Sequence, residues 1–259
     1  MNSVNAHTGW LWVKQGFTLF RTQSAEMLAL FFAYMFLNIG LSFVPLIGPF
    51  LPLMLVPVFS VSFMQACREI DAGRPAYPNL ILAGFRSPAL PGLLALGTLN
   101  IAATALAAWV SYQADGGALR EYILSLINPE SKYVANSDVL IGMAVFCLVY
   151  LPALMAFWYA APLLAWQRMS PAKALFYSFF AVQRAWRAFI FYGLLWVALR
   201  MILPGVIGVI VIEIFGSALF AALTILTVTI LLTVAMYCSF YPTYTDIFGK
   251  PDEVDQPAA

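Results

Sequence analysis

Charged residues are missing from long stretches of this chain, and those gaps lay out its elements. No Asp, Glu, Lys or Arg occurs from Met27 to Cys67. A helix needs about 20 apolar residues to cross a bilayer. This run therefore holds two crossings, near 26–44 and 50–70, with Pro45-Leu46-Ile47-Gly48-Pro49 as the turn between them. Ser87 to Ala114 predicts a third span near 89–113, and Val139 to Gln167 a fourth near 139–166. Ala188 to Ile212 is uncharged except for Arg200 and contains Pro204-Gly205; Ile214 to Thr245 is uncharged throughout. These two runs predict a fifth span near 185–203 and a sixth near 214–241. The stretch 204–213 between them reads either as a turn or as a short interfacial helix.

A different periodicity precedes the odd-numbered spans. Trp10, Val13, Phe17 and Phe20 recur at helical spacing opposite Lys14, Thr18 and Arg21. Ala172, Leu175, Phe176, Phe179, Val182 and Trp186 recur opposite Lys173, Arg184 and Arg187, after Ser170 as N-cap and Pro171 at the first helical position. Pro78 to Arg86 is a shorter version. An apolar face opposed by bases suits a helix lying in the headgroup plane. The expected fold is all-α: a polytopic membrane helical bundle of six transmembrane helices in three hairpins, each preceded by a cytoplasmic-side interfacial amphipathic helix. One transmembrane domain covers 1–247, and 248–259 is a flexible tail. Two echoes support a threefold repeat: Pro45-Leu46-Ile47-Gly48 against Pro204-Gly205-Val206-Ile207-Gly208, and Ala72-Gly73-Arg74-Pro75 against Phe248-Gly249-Lys250-Pro251. Ordinary amphipathic connectors explain the same features equally well. In the loop after the third span, Leu119, Tyr122, Ile123 and Leu126 predict a short amphipathic helix stopped by Asn128-Pro129.

Composition excludes most other classes. Of the 259 residues 63% are hydrophobic and 10% are charged, against about 45–50% and about 25% in soluble domains. So little charge cannot cover a water-facing surface. Cys67, Cys147 and Cys238 are scattered and read as small buried hydrophobes. With one histidine, His7, no usual zinc site can form. No Walker A, H-E-x-x-H, G-x-S-x-G or dinucleotide fingerprint occurs. No catalytic residue, metal or cofactor is expected, and no nucleic-acid surface. The placement of charge is more telling than its amount. Of thirteen bases, ten fall in the N-terminal segment, the 68–88 and 167–187 loops and the C-tail; Arg120 and Lys132 fall opposite, and Arg200 lies within a span. This bias predicts N- and C-termini in the cytoplasm. The first 25 residues lack a cleavable secretory pattern, so the first span is expected to act as the targeting signal.

Several residues carry a family resemblance. They are Gly9-Trp10 with Phe20-Arg21, the Pro-Leu-Ile-Gly-Pro turn, Phe63-Met64-Gln65-Ala66-Cys67-Arg68, Gly84-Phe85-Arg86, Met169-Ser170-Pro171 and Asp246-Ile247-Phe248. Together they resemble an uncharacterised, mainly proteobacterial family of six-helix integral membrane proteins, over essentially the whole chain. More distantly, the layout is similar to the membrane domain attached to some glycerophosphodiester phosphodiesterases. The resemblance implies fold and location and brings no catalytic domain.

Four residues form the candidate intramembrane polar site: Arg200, Glu213, Asn38 and Asn100. Ionisable groups in apolar runs are costly and face a partner or a wet cavity. If 204–208 is the turn, Arg200 and Glu213 sit at similar depth on adjacent helices, where a salt bridge explains both; a substrate or proton site is the functional alternative. Asn38 and Asn100 read as interhelical hydrogen bonds or as part of a polar pathway. Thr224, Thr227, Thr229 and Thr233 can bond back to their own helix. Ala156 with Ala160, and Ser217 with Ala221, permit close helix contact. Pro152 and Pro162, with Pro52 and Pro57, point to kinked or broken spans, which transporters use at binding sites and many membrane helices simply tolerate. The expected partner is the bilayer, anionic lipids included; a protein partner or second copy stays open. The expected function is a non-enzymatic protein that organises lipid or a partner in the inner membrane. The alternative is a small transporter, channel or lipid-handling protein.

Overall fold

The computed structural model describes residues 5–48, 50–127 and 136–251. Among these residues all regular structure is helical. The elements are α1 (Ala6–Thr22), α2 (Ser24–Ser42), α3 (Leu51–Asp71), a 3-10 turn (Pro78–Leu82) running into α4 (Ala83–Arg86), α5 (Leu90–Asp115), α6 (Ala118–Ile127), α7 (Ser137–Phe157), α8 (Ala160–Trp166), α9 (Pro171–Arg184), α10 (Trp186–Phe215) and α11 (Ala218–Phe248). Six segments are long and apolar enough to cross a membrane: α2, α3, α5, α7 with α8, α10 and α11. The fold is an all-α polytopic bundle. Large apolar side chains such as Phe36, Leu148 and Met201 face outward along the spans, as expected where hydrocarbon is the solvent. α3 is the central span, with 56% of its most apolar stretch buried against at most 22% for any other.

The last two spans correct the sequence reading. Pro204 lies inside α10, which continues to Phe215. In lipid an open helix end strands polar backbone groups, so a span tolerates proline more readily than it breaks. The turn instead falls at Gly216, whose φ of 62° is left-handed, and Ser217, whose hydroxyl accepts from Phe220 N at 3.5 Å. A glycine just past one helix and a serine capping the next is ordinary stop–start chemistry.

The fourth span breaks between α7 and α8. Pro162 has no N–H to offer Trp158 O, so the helical ladder is interrupted there. Ser178 of α9 enters the gap: its hydroxyl accepts from Tyr159 N at 2.9 Å and donates to Met155 O at 2.9 Å. Those two groups would be each other's partners in an unbroken helix. Pro152, by contrast, stays within α7.

The short helices are buried along faces that only partly coincide with those expected. On α1 the buried stripe is Gly9, Trp12, Val13, Gly16 and Phe20, while Trp10 is exposed. A Cβ on Gly9 would lie 2.6 Å from Ala188 O, and one on Gly16 2.4 Å from Ser239 Cβ. Only bare backbone allows α1 that close to α10 and α11. Phe17 stacks on Trp196, and Trp12 packs on Phe189 and Tyr192. α1 therefore runs alongside the first turns of α10 in the same direction. On α9 the buried stripe is Ala174, Ser178 and Val182, continued by Ala185 after the helix, while Phe176 and Trp186 face outward. Ser170 precedes α9 in extended geometry and makes no side-chain cap bond. The 78–86 segment docks on α3, where Ser62 Oγ donates to Ile81 O at 2.8 Å and accepts from Gly84 N at 3.0 Å.

Contacts among these pieces close into a ring. The short segment before the first pair of spans packs on the last pair, α10 and α11. The segment before the second pair packs on α3 and α2, and α9, before the third, packs on α7 and α8. Residues 128–135, within the predicted outer loop, and 252–259, most of the predicted tail, lie outside the described residues.

Candidate intramembrane site

The four candidate polar residues do not converge. Arg200 and Glu213 lie on the same helix, α10, more than three turns or about 20 Å apart along its axis. The expected salt bridge between adjacent helices is therefore corrected, because the turn it required is helix. Arg200 faces α11, with Nη1 3.8 Å from Met236 Sδ. Glu213 is exposed two residues before the end of α10. Asn38 turns back on its own helix, its Nδ2 donating to Tyr34 O at 2.8 Å. Asn100 bonds across helices to an oxygen partner: Tyr150 Oη of α7 donates to its Oδ1 at 2.9 Å. The four threonines of α11 bond to the carbonyl one turn earlier.

Asn100 also marks a cavity. A half-open space of about 220 Å³ lies among α3, α5, α7 and the α7–α8 break, lined by Ser60, Met64, Leu96, Asn100, Tyr150 and Trp158. Its walls are mostly apolar. Pro57 of α3 and Trp158 and Tyr159 at the break border the same space. A proline in one wall and a broken helix in another are the features the sequence flagged. The contribution of Tyr150 was not visible there, because its partner is 50 residues away.

A second polar zone sits where the C-terminal ends of α3, α8 and α11 meet. Lys250 Nζ pairs with Asp71 Oδ2 at 2.7 Å, and Arg74 pairs with Glu69. Gln167 Nε2 donates to Tyr244 Oη at 3.1 Å, and Arg68 lies over the Trp166 ring at 6.0 Å. Trp12 Nε1 donates to Asp246 Oδ2 at 2.7 Å. Gln23 bridges the α1–α2 joint to the following loop through Arg74 O and Ala76 N. These bonds tie the spans together where charge is densest. None of these residues was singled out as a site from sequence, because apart from the Glu69–Arg74 pair each needs a partner distant in the chain. Among the described residues no group of three or more His, Cys, Asp or Glu is placed to hold a metal.

A probable inner membrane protein of Burkholderia thailandensis is 36% identical to the chain over 263 aligned residues, which cover 99% of the chain and 95% of that protein. The chain belongs to this family of inner membrane proteins. Its location follows: a multi-pass protein of the inner membrane, with six apolar helices to span it. No family model matches the chain, and no solved structure matches it.

Proposed function

We propose that this inner membrane protein is a non-enzymatic organiser of lipid, with both termini in the cytoplasm. One observation carries the reading. The candidate polar residues are dispersed over separate contacts, while the walls of the cavity within the bundle are mostly apolar and hold just one of the four, Asn100. A hydrophilic pathway needs converging polar groups, whereas hydrocarbon needs only apolar walls. The ten-to-two placement of bases supports the orientation. The amphipathic segments at α1, 78–86 and α9 would then lie on the cytoplasmic side. Lipid profiling of a deletion strain tests the reading: altered phospholipid composition or membrane order is expected, and an unchanged profile in both respects overturns it.

A second reading, a small transporter, draws on the broken α7–α8 span beside the cavity. Flux through vesicles containing the purified protein separates the two. Uptake of a polar solute that is lost in Asn100→Leu would favour transport.

A further inference from the structure

We propose that a groove on the arginine-rich side of the bundle binds the headgroup of an anionic phospholipid. The groove has two neighbouring lobes, of about 360 and about 500 Å³, that share Ala165 of α8. Gln65 of α3, Asn79, Arg86 and Ser87 line the first. Arg168 faces the second, opposite Pro88 and Gly92 at the start of α5. Both volumes fall in the range of small-molecule sites.

Charge selects the occupant. Arg86 and Arg168 are exposed, and among the described residues neither is in an ion pair. No acid lines either lobe, and the acids at the ends of α3 and α11 are held by other groups: Glu69 by Arg74 and Gln65, Asp71 by Lys250, and Asp246 by Trp12. Two guanidinium groups outside any ion pair thus border adjoining lobes, one in each, and guanidinium forks match phosphate oxygens. Asn79 and Ser87, with the amide oxygen of Gln65, whose Nε2 donates to Glu69, add uncharged hydrogen-bonding groups suited to a glycerol backbone or a hydroxylated headgroup.

Depth selects a lipid over a soluble phosphate. The groove lies where α5 begins and α8 ends, at the limits of two spans. Trp166, on the wall of the first lobe, is a residue type that settles at the headgroup level. Basic pockets between transmembrane helices at this level hold anionic headgroups. The proposal deepens the lipid-organising reading by naming the lipid class, and takes from it the purpose of binding but not the geometry.

Native mass spectrometry of the full-length protein in detergent tests it, with palmitoyl-oleoyl phosphatidylglycerol as the probe. Wild type is expected to retain this lipid in preference to the phosphatidylcholine of the same chains. The double variant Arg86→Gln/Arg168→Gln should weaken retention roughly thirtyfold, as expected for two juxtamembrane bases. Lys173→Gln, outside the groove, should leave it unchanged. Asn79→Trp keeps both arginines but fills the first lobe, and should also reduce retention; it decides the matter if the double variant does not fold. Equal retention of the two lipids, or full retention by the folded double variant or by Asn79→Trp, overturns the proposal. Displacement by excess inorganic phosphate also overturns it, because the site would then be one for a soluble anion. The lipid profile of the deletion strain is read separately: failure there sinks the organising role, and failure of retention sinks this site.

Discussion

Single glycines decide how closely these helices approach. A Cβ on Gly84 would sit 2.2 Å from Val58 O, an atom fixed in the backbone of α3. Gly84→Ala should therefore push the 78–86 segment off α3 and destabilise the fold by about 1–3 kcal/mol, as overpacking does. Gly40 in α2 has nothing within 4 Å of the same added atom. Gly40→Ala should leave the protein unchanged or stabilise it by up to about 1 kcal/mol through helix propensity. Thermal unfolding of the two variants in one detergent checks the contrast; equal shifts would mean that close approach at Gly84 is not limiting. The same logic explains why the buried face of α1 was only partly legible. Hydrophobicity gives Gly9 and Gly16 little weight, yet they line the contact and Trp10 does not.

At the scale of elements, the number of crossings was legible because the bilayer imposes a local rule: each span needs its own uncharged run. The end of a helix inside such a run was less so. Pro204-Gly205 carried the stronger turn signal, yet Gly216-Ser217 makes the turn, since lipid penalises an open ladder more than a proline within one. The misplaced turn also dissolved the Arg200–Glu213 pair. The α7–α8 break was half legible: Pro162 announces it, but Ser178, which holds it open, comes from another helix. Ser178→Ala removes the group that satisfies both Tyr159 N and Met155 O. It should cost about 1–3 kcal/mol, the usual penalty for stranded buried polar groups. Amide exchange at Tyr159 should speed up with it. In a Pro162→Ala background the ladder can close on its own, so the loss from Ser178→Ala should shrink. Equal losses in both backgrounds would show that Ser178 does not act through the break.

For the whole molecule, orientation and ring closure are separate questions. Orientation is read by labelling single cysteines with a membrane-impermeant maleimide after Cys147→Ala, since Cys67 and Cys238 are buried. Ser125→Cys in α6 should react in intact spheroplasts, and Asn79→Cys only after permeabilisation; the reverse pattern overturns the proposed orientation. Ring closure rests on α1, which leaves the ribosome well before α10 and α11 yet docks on both. Trp12 is the anchor: it is fully buried, touches Phe189 and Tyr192, and bonds Asp246. Trp12→Ala should cost about 3–5 kcal/mol, the range for deleting a buried large aromatic. Trp12→Phe keeps ring contact but gives up the bond to Asp246, so its loss should be smaller. If the first and last pairs of spans are held together chiefly through α1, Trp12→Ala should also raise protease cleavage in the 68–77 connection, which Gln23 at the end of α1 fastens through Arg74 and Ala76. Lower stability without new cleavage there would assign Trp12 to local packing and leave ring closure to the contacts of α3 with α11.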